Sequence, residues 1–534
     1  MIRDSLERSL RDALAAVGVN APEAVHLERP ARREHGDWSS NIALASAKAA
    51  GRNPRALATA LAAHLTDNPP PHVERIELAG PGFINFHLRP TWLVEVLREV
   101  VTVGERGYAR FDFGAGTRVD VEYVSANPTG PLHAGGGRWA AYGDALSNLL
   151  ERCGYAVTRE YYLNDRGTQM GLFAASLAAA KRGDAVPPDG YKGEYIQEWA
   201  SEMPDGADPA QWGYERVKRD LASTLARMGV AFDVWFSEQS LVDRHLVEAT
   251  LEDLRDHGEA FDAEGATWLR TTDFGDDKDR VLVKSDGEPT YLLPDIAYHR
   301  DKFERGHDLL IDVWGADHHG YVTRLKNGVR ALGHDPDELE IILGQLVLLV
   351  RNGEPVRLSK RAGDLVLLDD LLDAVGPDVA RLTFLLQSLD SRQTIDLDVI
   401  TAQSMENPVF YVQMAHARIA GIARRAAGVG IERARLDATD LSLLEHQREL
   451  ELLRTLSELP DVVTSATRDR APHKVTTWVR ELADRFHGFY HDCYVIGDDI
   501  PLELTQARLW LVESTRIGLA IALDLLGVSA PESM

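Results

Sequence analysis

Val119-Asp120-Val121-Glu122-Tyr123-Val124-Ser125-Ala126-Asn127-Pro128-Thr129-Gly130-Pro131-Leu132-His133-Ala134-Gly135-Gly136-Gly137 is the stretch that decides the fold. Val119 to Val124 reads as a strand, after which the chain turns through Pro128, Gly130 and Pro131. A helix is predicted from near Gly135, with Trp139, Tyr142, Leu146 and Leu149 on one face and a stop at Cys153-Gly154. Ala156 to Tyr162 reads as the next strand, and Leu309 to Trp314 and Leu343 to Val350 as later strands of the same buried kind. Strand alternating with helix is the pattern of a parallel sheet. Glycines that open a helix after a proline-constrained turn let backbone approach a polyanion, and the helix N-terminus adds partial positive charge. His133 would donate to phosphate oxygens there. Taken alone, the segment fits a plain tight turn equally well.

Working outward, about 167–280 is polar and aromatic and reads as an irregular insertion that splits the sheet into two halves. Upstream, Leu6, Leu10, Leu14 and Val17 recur at helical spacing, and a second helix follows Asn53-Pro54. Val73 to Leu78 and Phe83 to Leu88 alternate as strands around Gly80-Pro81-Gly82, and the glycine-rich 104–116 marks a boundary. Downstream of Ile400 strand signals fade. Val412, Ala415, Ile419 and Ile422, then Leu509, Val512, Leu519 and Leu523, predict a helical bundle. The expected domains are 1–110, 117–399 and 400–534.

Composition agrees with a multidomain globular chain. It has 534 residues, 44% hydrophobic and 26% charged. Lys plus Arg number 58 against 83 Asp plus Glu, a formal charge of −25, which argues against a wholly basic nucleic-acid binder but not against local patches. Two cysteines, Cys153 and Cys493, cannot build a disulfide framework or a cysteine zinc site, so no zinc is expected. A charged N-terminus and no run of about 18 apolar residues predict a cytoplasmic protein with no membrane partner.

A second segment, Arg357-Leu358-Ser359-Lys360-Arg361, puts three cations and a hydroxyl into five residues ahead of Gly363. That composition suits a clamp that stabilises charge on a leaving pyrophosphate, although most basic loops are merely solvated. A histidine-glycine turn before an inserted domain and a serine-lysine loop after it form a more specific pair. His133-Ala134-Gly135-Gly136 resembles the HIGH signature of class I aminoacyl-tRNA synthetases, and 357–361 resembles their KMSKS loop. The wider chain is similar to the arginyl-tRNA synthetase family. The resemblance runs through Val121 to Gly130, Asn164 to Gln169, Tyr191 to Tyr195, Lys284 to Gly287, Gly315 to Tyr321, Asn407 to Gln413 and the ending Leu526 to Met534. Two positions depart from the motifs: Gly136 stands where a second histidine is usual, and Arg357 replaces the first lysine of the loop.

The resemblance implies a Rossmann-like α/β catalytic domain split by an insertion, an N-terminal α+β module that meets tRNA, and an all-α anticodon-binding bundle. It implies an enzyme that activates L-arginine with ATP, brought as its Mg²⁺ complex, transfers it to arginine tRNA, and needs tRNA bound for activation. A monomer is the family's usual form. Implied ATP contacts are His133, Gly135, Gly136, Gln345, Ser359 and Lys360, with His133 and Lys360 catalytic. A guanidinium offers five fixed donors and wants forked carboxylates; Glu122, Ser125, Asn127, Tyr291 and Asp295 match the arginine-contacting positions. Phe83 and Asn85 match the module's tRNA surface. Arg418, Arg424 and Arg425, in a run with Arg433 and Arg435, and the aromatic Tyr411 are the candidates for tRNA in the bundle. The competing reading is a non-catalytic relative that binds tRNA without turning over ATP, which rests on Gly136 and Arg357 alone.

Overall fold

The computed structural model describes residues 2–30, 32–356, 367–402, 404 and 406–533. They form two compact units: Met1–Tyr108 with Ile422–Glu458 and Asp484–Gly518, and Ala109–Gly421 with Leu459–Ala483 and Leu519–Met534.

The first unit carries a four-stranded antiparallel sheet in the order Leu27–Glu28, Trp38–Ser40, Phe83–Leu88, Val73–Ala79. Helix Ile2–Ala16 buries Leu6, Leu10, Ala13 and Leu14, the stripe its spacing predicts. Helix Pro54–Asp67 opens with Pro54 at its first position and the Asn53 side chain accepting from the Arg55 N–H at 2.9 Å. Helical segments from the C-terminal third complete this unit, and the Tyr108 hydroxyl donates to the Leu456 carbonyl at 2.8 Å.

The second unit is built on β1 (Arg118–Glu122), α1 (Gly136–Arg152), β2 (Ala156–Leu163), β3 (Val234–Ser237), α2 (Leu292–Glu304), β4 (Leu309–Gly315) and β5 (Leu339–Gly344). The strands form one parallel sheet in the order β5-β4-β1-β2-β3. The chain builds outward from β1 to β3 and then returns to the other side of β1, so strand order reverses between β1 and β4. That reversal leaves a crevice at the carboxyl ends of the two strands, the usual ligand position in such sheets. Register sets Glu160, Glu122 and Asp312 abreast on β2, β1 and β4.

α1 buries almost its whole circumference, and Gly143 lets it settle on β1's neighbour Tyr123, itself 0% exposed. A Cβ on Gly143 would lie 2.1–2.5 Å from three Tyr123 ring atoms. Gly143→Ala should therefore destabilise this unit by about 1–3 kcal/mol or more. A urea midpoint unchanged from wild type would contradict that packing.

Two expectations are corrected. The 167–280 segment is regular: it holds helices Gly167–Arg182, Glu194–Glu202, Pro209–Arg227 and Leu246–Asp256, strands of a small antiparallel sheet, and β3 itself. Its polar, aromatic composition reflects amphipathic helices, not loops. Leu343 to Val350 is not one strand. β5 ends at Gly344, where a side chain would strike Trp139 at 2.8 Å, and the Gln345 N–H turns to the Leu389 carbonyl. Val347–Arg351 then pairs in parallel with Gln393–Asp396 in a separate three-stranded sheet.

Candidate active site

A cavity of about 890 Å³ opens at the crevice between β1 and β4. Glu122, Ser125, Asn127, His133, Gly135, Gly136 and Asp295 all line it, so most of the proposed arginine and phosphate positions converge on one space. The turn after β1 is held in a costly conformation. Val124 and Ser125 have φ of +70° and +39°, and the Ser125 N–H donates to the Tyr123 carbonyl at 3.0 Å in a γ-turn. A β-branched residue at positive φ is strained, and strain of this sort clusters at functional sites. The turn is fixed by Ser125 Oγ donating to Glu122 Oε1 at 2.9 Å and by Asn127 Nδ2 donating to Gln169 Oε1 at 3.0 Å. Tyr195 covers it, its hydroxyl donating to the Thr129 carbonyl at 2.9 Å.

His133 precedes the N-terminus of α1. Its Nδ1 accepts from the Gly136 N–H at 3.2 Å, which places the proton of the neutral ring on Nε2. A Cβ on Gly136 would sit 2.7 Å from Leu132 Cδ1, so in this chain the glycine fits its neighbour as well as its hydrogen bond. The clamp positions Arg357, Ser359 and Lys360 lie outside the described residues. On one side of them the Val356 N–H donates to the Leu349 carbonyl, in the strand whose Val347 lines the cavity. On the other, Leu367 bridges His133 and the Leu368 N–H donates to the Leu132 carbonyl at 2.8 Å.

Asp295 stands in the first turn of α2 and faces the cavity. The Tyr321 hydroxyl donates to its Oδ2 at 2.5 Å. Burial pushes the Asp295 carboxyl up to about 6, with the Tyr321 hydrogen bond and His299 holding it from rising further. Among the described residues no cation lies within ion-pairing distance of it.

Beneath the cavity the acids set abreast by the sheet register meet cations from α2. Lys302, 0% exposed, reaches Glu122 Oε2 at 2.7 Å, Asp312 Oδ1 at 2.9 Å and Asp120 at 3.3 Å. Arg305 forks onto Glu160 at 2.6 and 3.0 Å. His299 has acceptors at both nitrogens, the Asp295 carbonyl at 2.7 Å and Asp312 Oδ2 at 2.8 Å, which calls for the imidazolium. Burial opposes that charge, but Asp312 overrides it and the His299 pKa is raised. Burial pushes Asp120 up to about 8 despite Lys302, and its oxygens make no hydrogen bond. Lys302, Arg305 and His299 thus face Glu122, Glu160 and Asp312, and Arg305 also reaches buried Asp301 at 3.0 Å.

Some proposed positions are not brought to the cavity. Tyr291 precedes the first turn of α2 and is 88% exposed, outside the cavity lining. Gln345 is also absent from the lining, and its carbonyl accepts from Arg138 at 2.8 Å. Asn85 is 3% exposed, its Oδ1 accepting from Ser39 at 2.7 Å inside the antiparallel sheet, while Phe83 is half-buried. On helix Pro408–Gly428, Tyr411 and Arg418 are half-buried, and Arg424 and Arg425 are exposed. Arg433 and Arg435 of the basic run are paired with Glu513 and Asp437. Sequence reasoning gave no role to Tyr162, Gln169, Trp314, Asp317, His318 or Tyr321, all of which line the cavity. It also passed over Tyr298, His299 and Lys302, whose spacing from Asp295 follows one face of a helix.

Three family models match the chain: the arginyl tRNA synthetase N terminal domain over 4–88, the class I (R) tRNA synthetase catalytic domain over 105–188 and 205–403, and the DALR anticodon binding domain over 412–534. An arginine–tRNA ligase of Frankia alni is 47% identical over 532 residues, spanning 97% of this chain and 96% of that protein. A crystal structure described as an arginyl tRNA synthetase of Campylobacter jejuni superposes with a TM-score of 0.76 at 34% identity, covering 84% of this chain and 100% of that one. The Thermus thermophilus arginyl-tRNA synthetase shares the fold, with a TM-score of 0.79 at 23% identity over the full length of both chains. With near full-length identity to a ligase and all three domain models in order, the chain belongs to the arginyl-tRNA synthetase family.

Proposed function

We propose that this arginine–tRNA ligase holds the substrate guanidinium between Asp295 and Glu122, with Ser125 and Asn127 near the α-amino group. The observation that carries this reading is Asp295, a carboxylate in the cavity with no cation of the described residues within ion-pairing distance, 2.5 Å from the hydroxyl that orients it. The arginine carboxylate attacks the α-phosphorus of ATP, forming the mixed anhydride as the bond to the bridging oxygen breaks and pyrophosphate leaves. His133 Nε2, the N-terminus of α1 and Lys360 stabilise charge on the phosphates, and Mg²⁺ enters as part of the ATP complex. A ribose hydroxyl of the tRNA's terminal adenosine, the 2′ one, then attacks the adenylate carbonyl and AMP leaves. Positioning and electrostatics supply the catalysis, with no general base required. Phe83, Arg418, Arg424, Arg425 and Tyr411 are proposed tRNA contacts, activation needs tRNA bound, and the enzyme acts as a cytoplasmic monomer. No described helix is long and apolar enough to cross a membrane.

Arginine-dependent ATP–pyrophosphate exchange, with and without arginine tRNA and with lysine and glutamate as controls, tests this reading. Exchange with arginine only when tRNA is present is the expected result. Exchange without tRNA removes the coupling, and no exchange in protein that still binds tRNA removes the catalytic reading.

A pH dependence follows from Asp295. The guanidinium needs the ionised carboxylate, whose pKa is raised to about 6, so protonation competes as pH falls. The KM for arginine should be flat above pH 7 and rise below about 6, approaching tenfold per pH unit. A KM flat down to pH 5 would exclude Asp295 as the partner.

A further inference from the structure

We propose that Lys302 is a positioning residue for arginine recognition: buried beneath the cavity, it holds Glu122 Oε2 and so leaves Oε1, shared with Ser125 at the cavity wall, to meet the substrate. The inference rests on the placement of Glu122 against the guanidinium proposed above.

The argument starts from the sheet. Register sets Glu160, Glu122 and Asp312 side by side on three neighbouring strands, with Asp120 one pleat below on the same face. Like charges set directly opposite repel, and the row is almost wholly buried. α2 crosses this face and brings Lys302, Tyr298 and His299 down onto it, with Arg305 at its end. Lys302 is the cation among them that touches Glu122. Its Nζ lies 2.7 Å from Oε2, and the Tyr298 hydroxyl lies 2.9 Å from the same oxygen and 2.5 Å from Glu160 Oε1. Those two donors fill the lone pairs of Oε2, whereas among the described residues Oε1 has only Ser125. A forked guanidinium arriving from the cavity therefore finds Glu122 turned one way, with its charge already answered from below. In this arrangement Asp295 supplies the charge that pairs with substrate, and Glu122 supplies direction.

The groups that face this pair are Asp120 on β1, Glu160 and Tyr162 on β2, Asp312 on β4, Asp295, Tyr298, His299 and Asp301 on α2, Arg305 and His307 after it, and Glu238 after β3. Arg305 is engaged with Glu160 and Asp301, and His299 with Asp312, so neither replaces Lys302 at Glu122. Without Lys302 the Glu122 carboxyl loses its nearest cation among four neighbouring acids. Among the described donors Oε2 then keeps the Tyr298 hydroxyl alone, and the carboxyl is no longer held in the orientation that meets the guanidinium.

Lys302→Met tests this in the full-length enzyme with tRNA present. The KM for arginine should rise roughly 10–100-fold, with kcat within about threefold and the KM for ATP within about twofold. A rise confined to the arginine KM, at constant kcat and constant ATP KM, is a split that a merely loosened fold would not show. An unchanged arginine KM, or a rise shared by ATP, overturns the proposal. If Lys302→Met does not fold, Tyr298→Phe decides. It removes the other donor to Oε2 at constant shape, and a rise of about threefold or more in arginine KM at constant kcat supports the proposal, whereas no change overturns it. Glu122→Gln separates the two layers of argument. If it leaves arginine KM untouched, the placement of Glu122 itself fails. If it raises KM while the Lys302 and Tyr298 variants do not, only the present inference fails.

Discussion

Asp295→Asn is expected to lower kcat/KM for arginine by roughly 10²–10³-fold, about 3–4 kcal/mol, while the KM for ATP changes little. Removing one partner of a desolvated charge pair leaves the other charge buried and unanswered, which is why the effect exceeds that of an ordinary hydrogen bond. Here the exposed partner would be the substrate's own guanidinium. The amide keeps the shape of the side chain and can still meet the Tyr321 hydroxyl, so the fold should be unaffected. The same substitution should abolish the rise in arginine KM below about pH 6, because the titrating group is gone. Asp317→Asn is the matched control: Asp317 also lines the cavity, but its carboxylate is 81% exposed and lies 3.6 Å from His318. A loss of less than fivefold for Asp295→Asn would show that the guanidinium's charge is answered elsewhere.

Arg381→Met should cost the second unit about 3–5 kcal/mol of stability, equivalent to a thermal midpoint lower by roughly 5–15 °C. Arg381 is 1% exposed. Its guanidinium ties three distant stretches together: it pairs with Asp144 on α1, and it donates to the Met228 carbonyl at 2.9 Å and the Leu526 carbonyl at 3.1 Å. Methionine fills much of the volume but leaves the Asp144 carboxylate and two buried carbonyls short of donors. Thermal unfolding followed by intrinsic fluorescence reads the shift. Arg381→Met with Asp144→Leu should recover part of the loss, since replacing a buried pair by apolar groups is far milder than breaking it. A single variant as stable as wild type would mean that the ion pair does not hold these stretches.

Much of the site was legible one segment at a time. The strand before Ser125, the proline-constrained turn and the glycines at the start of α1 are local signals. Together with the family resemblance they pointed to Glu122, Ser125, Asn127, His133, Gly135 and Gly136, which line one cavity. Asp295 was legible as a helical first-turn acid. Tyr291, four residues earlier, caps the same helix and its carbonyl accepts from the Asp295 N–H, but its side chain is 88% exposed and outside the cavity lining. What Asn85 touches was not legible either. An asparagine in an alternating strand looks like a surface residue until a neighbouring strand supplies Ser39 as its buried partner.

The sequence by itself determined the strand-turn-helix around the site, the α/β class and the family resemblance, since these depend on periodicity, turn residues and motifs within short stretches. Tertiary structure alone decided which face of each element found which partner. Nothing along the chain joins Asp120, Glu122, Tyr298, His299 and Lys302 into one group. Register between parallel strands put the acids in one buried row, and α2 crossing that row brought the cations to within 3 Å. Burial strengthens a charge pair and penalises an unpaired charge, so the meaning of these residues lies in their partners across the fold.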